Sequence, residues 1–455
     1  MSMLVIDLYD SGILISDGDR VLADSTSCAL IEPGQPIQTG RRAVQQACFR
    51  PQDICTRFWS RLPDRSATRH EVPHAEIALH HLQSVWERLD RPDHAAILAV
   101  SGTLDRQDLG LVLGICEKLS IPVRGIVSRA ALALPGPAPV RTLAWLDVLQ
   151  THAILSELQQ DHKGVSALAP VTLIPQGLPA LNHMLAKRIT RLFIARTRFD
   201  PMQKPDDERQ FLEKLPRWLA TLEQEESVVC RLQGTGQALR IRLDRHEVLD
   251  MNRPVFEAIA LRLASLFQDR DAVAVVCAPS CRQVFGLEGF LKGLPGCAVL
   301  GTEPLQLARQ ALRYREQITA RHAAVHYTTS LEWDRDTSPL TLDIHPGTLA
   351  ELNNRPTHLL IGDQAWPLDR ELCLSARNGA HGLDLDPACG EGGLCRIASS
   401  GWLIEVRALH GHAVRLNGNL LTAPRSVQPG DALDIEGHPD ALRFIRVCEH
   451  ETPDV

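Results

Sequence analysis

Several residues near the start of the chain have side chains that can hold a metal ion beside a phosphate. Asp7 lies in an apolar run and can orient a hydrated magnesium ion, because this hard cation prefers carboxylate and water oxygens. Asp10, Ser11 and Gly12 follow, and their hydroxyl and backbone N–H groups can contact a phosphate. Each interpretation has an alternative. Asp7 can end or cap its strand, and Asp-Ser-Gly is a common β-turn composition in which the added carboxylate would repel a phosphate.

The elements that must position these residues are those of an α/β fold. The pattern predicts a hairpin over residues 4–18 and a second one over residues 142–156, which would suit duplicated halves of one lobe pair. Between them it predicts, in order, helix 76–89, strand 95–100, helix 107–119, strand 123–127 and a short helix from Ser128. Beyond the second hairpin it predicts helices 178–194 and 201–226, a strand-turn-strand 228–242 around Gly234-Thr-Gly236, helix 253–267 and strand 273–277.

The sequence changes character near residue 335. From Asp336 onward, turn residues are frequent and little helical periodicity remains. The strand candidates there have the spacing of a small β-sandwich: 358–361, 372–374, 394–398, 402–406, 413–416 and 432–435. We therefore expect a separate all-β domain at the C-terminal end.

Composition and charge make some classes of protein unexpected. The chain has 455 residues, enough for two to four domains, and a net charge of −7 without a Lys/Arg run interleaved with aromatics. We therefore expect no nucleic-acid partner. There is no stretch of about 18 consecutive apolar residues, so the chain is expected not to be integral to a membrane and to be cytoplasmic.

Neither the cysteines nor the histidines predict a metal site. The twelve cysteines form no Cys-x-x-Cys pair, whereas tetrahedral zinc needs four ligands at workable spacing, so we expect reduced thiols in the core. His70, His74, His80 and His81 lack a carboxylate partner motif and are expected on a polar helix face.

The order of these signals through residue 315 resembles the ATPase domain of DnaK-type chaperones, a branch of the actin-like superfamily. The matching segments are the hairpin at Ile6-Asp7-Leu8, the strand and alanine-lined segment 121–134, Arg253-Pro-Val-Phe256-Glu257, and the acid-Pro then Ala-x-x-Ala segment 303–312. The resemblance implies a two-lobed fold, with lobe I over residues 1–165 and lobe II over residues 166–335. It also implies Mg-ATP or Mg-ADP as ligands.

The nucleotide motifs of that family are altered here. Tyr9 stands where the family's first turn has a glycine, and Leu146-Asp147-Val-Leu-Gln-Thr151 stands where the second turn has three glycines. The resemblance makes Asp147 a second magnesium-side carboxylate, Thr151 a γ-phosphate donor, and Ser280 and Arg282 residues of the adenosine segment. A phosphate cradle needs N–H groups unshielded by side chains, and Pro279 removes one donor, so nucleotide binding by these residues is expected to be degenerate. Arg282 is as well explained by a surface ion pair.

Residues 336–455 resemble a forkhead-associated domain through Asn417-Gly418 and the later Gly430-Asp431. The resemblance implies phosphopeptide binding, for which Arg377 and Asn417 are the candidates, although the family's Ser-x-x-His pattern is missing before Cys395. Asn417 is equally suited to building a turn.

Together these patterns predict a non-catalytic actin-like or DnaK-like pseudo-ATPase with a forkhead-associated-like domain, acting on protein partners as an adaptor or assembly scaffold. No catalytic residue is assigned and no cofactor is required. The alternative is an ATP-binding, chaperone-like ATPase switch that uses Asp7, Asp147 and Thr151. A sugar or metabolite kinase on the same fold is a weaker third interpretation, because no substrate motif stands out.

Overall fold

The computed structural model describes residues 3–64, 70–89, 94–234, 238–319, 325–368, 371–376, 383–386, 393–400, 403–409, 413–438 and 442–447. The chain divides into two compact units. The first contains Met1–Arg262, Ala272–Lys292 and Gly296–Pro346, and the second contains Leu263–Asp271, Gly293–Pro295 and Gly347–Val455.

The strands are numbered in chain order. They are β1 Met3–Tyr9, β2 Gly12–Ser16, β3 Val21–Thr26, β4 Ala29–Leu30, β5 Gln38–Thr39, β6 Ile54–Cys55, β7 Ala95–Val100, β8 Val123–Ser128, β9 Thr142–Val148, β10 Ala153–Gln160, β11 Gly164–Ala167, β12 Val171–Ile174, β13 Ser227–Gln233, β14 Ala238–Asp244, β15 Val273–Cys277, β16 Cys297–Gly301, β17 Tyr327–Thr328, β18 Ser330–Glu332, β19 His358–Ile361, β20 Gln364–Pro367, β21 Leu372–Ala376, β22 Leu383–Asp386, β23 Gly393–Ser400, β24 Leu403–Ala408, β25 Val414–Leu416, β26 Asn419–Leu420, β27 Arg425–Val427, β28 Ala432–Ile435 and β29 Leu442–Ile445.

The helices are numbered in the same way. They are α1 Arg41–Gln46, α2 His74–Trp86, α3 Arg106–Lys118, α4 Leu178–Thr197, α5 Pro205–Gln224, α6 Arg245–Leu266, α7 Leu287–Lys292, α8 Gln306–Arg313, α9 Arg315–Ile318 and α10 Ala350–Asn353. Short 3₁₀ turns cover Pro51–Asp53 and Pro279–Gln283. No described helix combines the length and the apolar character needed to cross a membrane.

Two mixed sheets organise the first unit, and they share one strand pattern. The first has the order β3-β2-β1-β7-β8-β17, and the second has the order β18-β11-β10-β9-β15-β16, with β12 also paired to β10. In each sheet the hairpin strands are antiparallel, and the first of them, β1 or β9, pairs in parallel with a strand that comes later in the chain. The continuous apolar runs predicted as buried strands at 95–100 and 273–277 lie in these parallel positions, where a strand is covered on both faces.

Domain limits were predicted from the sequence at residues 165 and 335. The limit at residue 165 does not separate the two sheets, because β9 and β10 precede it and yet pair in the same sheet as β15. The limit near residue 335 falls before the second unit begins at Gly347, because the intervening residues hydrogen-bond along the first unit: Leu340 N–H donates to the Pro137 carbonyl at 2.8 Å, and His345 N–H donates to the Cys297 carbonyl at 3.1 Å.

Three further local expectations are corrected. The segment after Ser128 is a series of turns rather than a helix, since the N–H groups of residues 131–133 bond to carbonyls three residues earlier and Pro135 follows directly. Cys373, in β21, is disulfide-bonded, so the expectation of reduced thiols is wrong at that position. The helix predicted at 253–267 is present but begins eight residues earlier, at Arg245.

Antiparallel sheets form the second unit. One sheet has the order β20-β19-β29-β28-β25-β26 and the other has the order β22-β21-β23-β24-β27. Apolar side chains of both sheets, from Leu359 on β19 to Val406 on β24 and Phe444 on β29, form a single core cluster. The all-β character expected for this region is therefore present.

Candidate functional site

The ends of two strands from different sheets bring two buried aspartates together. Asp7 lies on β1 of the first sheet, and Asp147 lies at the corresponding end of β9 in the second. Their residues are 4% and 1% exposed. An unpaired carboxylate at such depth would be strongly disfavoured, so each of them requires a partner.

Arg129 is that partner for both aspartates. It is the first residue after β8, where its N–H donates to the Val100 carbonyl at 2.9 Å. Its guanidinium lies 2.8 Å from Asp7 Oδ1 through Nε and forms a second ion pair with Asp147 through Nη1. One buried cation thus connects a strand of the first sheet with a strand of the second. Arg129 was not predicted from the sequence to be a site residue.

Two aromatic rings flank the guanidinium. The centroid of the Tyr9 ring lies 5.0 Å from Arg129 Cζ, and the centroid of the Trp145 ring lies 6.0 Å from it. Both separations are within the range of cation–π attraction. The Tyr9 ring also lies so close to Gly12 that a Cβ there would be 3.0 Å from the Tyr9 hydroxyl. The Tyr9 side chain therefore folds back over its own hairpin and lies against Arg129.

Ser280 completes the environment of Asp147. Its hydroxyl donates to Asp147 Oδ1 at 2.6 Å and accepts from the Val148 backbone N–H at 3.1 Å. The 3₁₀ turn Pro279–Gln283 positions this side chain at the end of β15. Both oxygens of Asp147 are thereby engaged, one by the hydroxyl and one by the guanidinium.

Asp10 makes the third link between the two sheets. Asp10 and Ser11 are the two residues of the turn between β1 and β2, as the β-turn alternative predicted. Both carboxylate oxygens of Asp10 lie 2.9 Å from the backbone nitrogen of Gln150, in the turn between β9 and β10. The backbone N–H of Gln150 is therefore used in a contact within the chain.

Burial sets the protonation behaviour of the cluster. It raises the pKa of Asp10 to about 7. The N–H groups of Gln150 and Ser11 partly oppose this rise, because they stabilise the charged form. It also raises the pKa of Asp7, and the neighbouring Arg129 opposes that rise. Burial alone would lower the pKa of Arg129, but Asp147 and Asp7 outweigh it and keep the guanidinium charged.

A magnesium–phosphate group does not fit the side chains at this position. Asp7 and Asp147, the carboxylates that would face the metal, already share a guanidinium, and Asp10 directs a third carboxylate at a backbone donor that a phosphate would use. A hydrated cation would have to displace Arg129 from a buried double ion pair, which would leave the arginine uncompensated.

The other nucleotide candidates are not brought into this cluster. Thr151 has its hydroxyl 2.6 Å from the His152 Nδ1 of the next residue. Arg282 pairs on the surface with Glu303 at 2.8 Å and approaches Glu288 at 3.6 Å, which is the ion-pair arrangement considered from the sequence. Its side chain also borders a groove of about 480 Å³ between α4 and α5, lined mainly by apolar residues such as Leu215 and Leu219.

In the second unit, Asn417 builds a turn. Asn417 and Gly418 have φ values of 52° and 78°, the positive pair that favours Asn-Gly between hairpin strands. The Asn417 amide donates to Asp431 Oδ1 at 2.8 Å, and its oxygen accepts from the Ala432 N–H at 2.9 Å. Both ends of the side chain are thus used within the fold. The other phosphopeptide candidate, Arg377, lies outside the described residues.

The histidines of α2 are not all on a polar face. His81 is fully buried: it accepts from Trp59 Nε1 at 3.0 Å through Nδ1 and lies 2.9 Å from Ser25 Oγ through Nε2. Because Nδ1 is the acceptor, the neutral ring carries its proton on Nε2 and donates to the serine. Burial lowers the pKa of His81 to about 4. His74 is also buried, so the expectation of an exposed face is wrong at these two positions.

Neither the models of known protein families nor the sequences of curated proteins match this chain. The geometry of the Asp7–Arg129–Asp147 cluster therefore carries the functional argument.

Proposed function

We propose that this chain is a non-catalytic actin-like protein, similar to DnaK-type ATPases, that acts as an adaptor or assembly scaffold for protein partners in the cytoplasm. Its C-terminal unit would be a forkhead-associated-like β-sandwich. Fold alone does not establish a function, so the proposal depends on the chemistry of the site.

The repeated strand pattern supports the actin-like part of the proposal. Both sheets contain an antiparallel hairpin whose first strand has a parallel neighbour, and the two hairpin ends face one shared cluster. Two similar halves facing each other in this way are what a two-lobed, duplicated fold requires. The sequence resemblance in residues 1–315 agrees with the same architecture.

One observation carries the non-catalytic part: the Arg129 guanidinium is paired with both Asp7 and Asp147. Phosphoryl transfer to water or to a substrate depends on positioned charges around the phosphate and its metal ion. Here the two carboxylates that would hold the metal have a permanent internal cation instead.

The adaptor part of the proposal depends on a surface that could bind a protein partner rather than on catalytic groups. It has a second folded unit with its own hydrophobic core, and so an additional surface for a protein partner. An adaptor needs stable surfaces, and a buried cluster of paired charges is compatible with that requirement.

The groove beside Arg282 is the observation that favours the alternative, an ATP-binding switch. A volume of about 480 Å³ lies in the usual range for small-molecule sites, and an apolar lining with a few polar groups is typical of them. In that case nucleotide would bind by its base, away from the Asp7–Arg129–Asp147 cluster.

Thermal unfolding of the full chain with and without millimolar Mg-ATP or Mg-ADP distinguishes the pseudo-ATPase from the ATP-binding switch. A ligand at about 100 times its Kd stabilises the folded state by about 2.7 kcal/mol, which corresponds to a rise of about 3 °C in the Tm of a chain of this length. We expect no rise beyond that caused by Mg²⁺ alone. A rise that is lost in Arg282→Ala would favour the switch and contradict the pseudo-ATPase.

The adaptor role has its own test. Chemical cross-linking of the full chain in cell extract without added nucleotide should give a stoichiometric protein partner whose cross-links map to one surface. If no partner is found by cross-linking or co-purification, and nucleotide also fails to bind, the adaptor proposal is wrong even though the pseudo-ATPase proposal holds.

A further inference from the structure

The hairpin of β13 and β14 has one buried and one exposed face, because successive side chains of a strand point to opposite sides of a sheet. On the inner face, apolar side chains join a hydrophobic cluster with α4 and α5: Cys230, Leu232, Ile241 and Leu243. The other face carries exposed residues, which we call the outer face of the hairpin: Val229, Arg231 and Gln233 of β13, and Ala238, Arg240 and Arg242 of β14.

Two arginines of the outer face are directly opposite each other. The register pairs Arg231 with Arg240. This is a non-hydrogen-bonded pair of the ladder, since Gln233, two residues along, uses its N–H and its carbonyl for the Gln210 side chain, at 2.8 and 3.3 Å. Side chains are closest in such pairs, and like charges opposite each other destabilise a sheet. An anion bound between the two guanidiniums would relieve this repulsion.

No carboxylate in the described part of the chain neutralises the pair. Neither Arg231 nor Arg240 forms an ion pair there, and Arg242 is paired with Asp244 at 2.8 Å. The outer face therefore has a local excess of positive charge, although the whole chain has a net charge of −7. Such a contrast favours an acidic partner at this face and keeps other partners away from it.

Side chains of α4 and α5 cover the two edges of the hairpin. On the β13 side, next to the Gln210 contact, the Lys214 ammonium donates to the Arg231 carbonyl at 3.0 Å. On the β14 side, Arg196 donates to the Arg242 carbonyl. A partner that added a further strand would have to displace these side chains, so the outer face is the more accessible surface. Lys214 also adds a charge to the β13 edge, because its acceptors are uncharged.

The chemistry of the outer face suits a carboxylate-rich segment of a protein. Guanidinium groups hold carboxylates through paired N–H donors, so one aspartate or glutamate can bond to both Arg231 and Arg240. Val229 is 50% exposed and offers an apolar contact on the same face. The outer face has no aromatic side chain on which a nucleic-acid base could stack.

We infer that the outer face of the β13–β14 hairpin is a docking surface for an acidic segment of a partner protein, with carboxylates of that segment between Arg231 and Arg240. This inference rests on the proposed adaptor role, for which it names the surface and the chemistry of the partner.

Fluorescence anisotropy with a defined peptide tests the outer face. The probe is a fluorescein-labelled peptide of alternating glutamate and alanine with one central leucine, titrated with the full chain at about 0.15 M salt. The wild type should bind it, and Arg231→Gln/Arg240→Gln should weaken binding by about tenfold or more, because both guanidiniums are lost. Each single variant keeps one guanidinium and should weaken binding by about threefold. The single variants decide the question if the double variant does not fold.

Arg124→Gln/Arg141→Gln is the matched control. Arg124 lies in β8 and Arg141 directly before β9; both are exposed, and neither forms an ion pair with a described residue. This variant loses the same charge from another part of the unit and should bind the peptide within about twofold of the wild type. A peptide with lysine in place of glutamate should not bind the wild type.

Three results would overturn the inference: no binding of the acidic peptide to the wild type, equal weakening in the control and hairpin variants, or tighter binding of oligouridylate that is lost in the hairpin variant. The last would make the outer face a nucleic-acid site. The adaptor role fails separately. A partner that cross-links elsewhere and is retained by the hairpin variant would contradict this inference alone, whereas the absence of any partner would contradict the adaptor role and leave the peptide titration to decide what the outer face binds.

Discussion

Replacing Asp10 by asparagine should make the protein more stable, and increasingly so as the pH rises. The substitution keeps an oxygen that can accept from the Gln150 N–H, but it removes a charge that burial disfavours. Burial raises the pKa of Asp10 from 3.8 to about 7 in the folded protein. A raised folded-state pKa means that the carboxyl group favours folding when protonated and loses that contribution as the pH rises from about 4 through 7.

The magnitude follows from the same shift. A difference of about three pKa units corresponds to about 4 kcal/mol between the protonated and the ionised limits. Asp10→Asn resembles the protonated form at every pH. Its advantage over the wild type should therefore be about 0.5 kcal/mol at pH 4 and up to about 4 kcal/mol at pH 8.

Urea unfolding followed by tryptophan fluorescence measures this advantage at a series of pH values between 4 and 8. Because Trp145 lies beside the cluster, the signal includes a reporter at the site. Asp19→Asn is the control, since Asp19 is exposed, and its stability difference should stay near zero throughout. A difference between Asp10→Asn and the wild type that does not change with pH, or a less stable variant at pH 8, would show that burial does not govern this carboxylate.

Four more outcomes are expected. Arg129→Met should destabilise the chain by about 3–5 kcal/mol in urea unfolding, because two buried carboxylates lose their cation, and replacing both carboxylates by asparagine in the same chain should recover most of it. Gly177→Ala should cost about 1–3 kcal/mol by the same assay, since its Cβ would meet backbone atoms of the adjoining turn, whereas alanine at the open position Gly114 should not. Asn417→Ala should lower the stability of the second unit by about 1–2 kcal/mol, because a left-handed residue loses its side-chain bonds. His81 has a folded pKa of about 4, below its ordinary 6.5, so in the Asp10→Asn background stability should fall by about 3 kcal/mol as the pH drops from 6.5 to 4, and a flat profile would contradict this.

The fold was largely predictable because its signals are local. The hairpin β1–β2, the buried strand β7 and the helix α3 follow from apolar runs, turn residues and helical spacing that a short window contains. The sheet that each hairpin joins was not predictable in the same way. Strand β9 joins the sheet of β15 through a pairing more than 120 residues apart, and no local pattern encodes which sheet a hairpin will enter.

The site was predicted in part, and for a related reason. Asp7, Asp147, Ser280 and Asp10 were selected individually, but their partners lie on other elements. Arg129 was missed although the sequence carried a usable signal: it is a single charge between two apolar stretches, Ile126-Val127 and Ala130 to Leu134. A lone arginine in such a context is expected to be buried beside a carboxylate, and Asp7 and Asp147, each within an apolar strand, were candidates for that partner.

The same geometry explains how two buried aspartates are accommodated at the ends of β1 and β9. A carboxylate pair needs a cation whether it serves a nucleotide or only the fold, so the aspartates alone do not distinguish the two uses. The source of the cation distinguishes these two uses. Arg129 supplies it from the chain, Ser280 satisfies the remaining oxygen of Asp147, and Asp10 accepts from the Gln150 N–H of the opposite turn. Each of these groups therefore has its partner within the chain, and together their contacts join the two sheets.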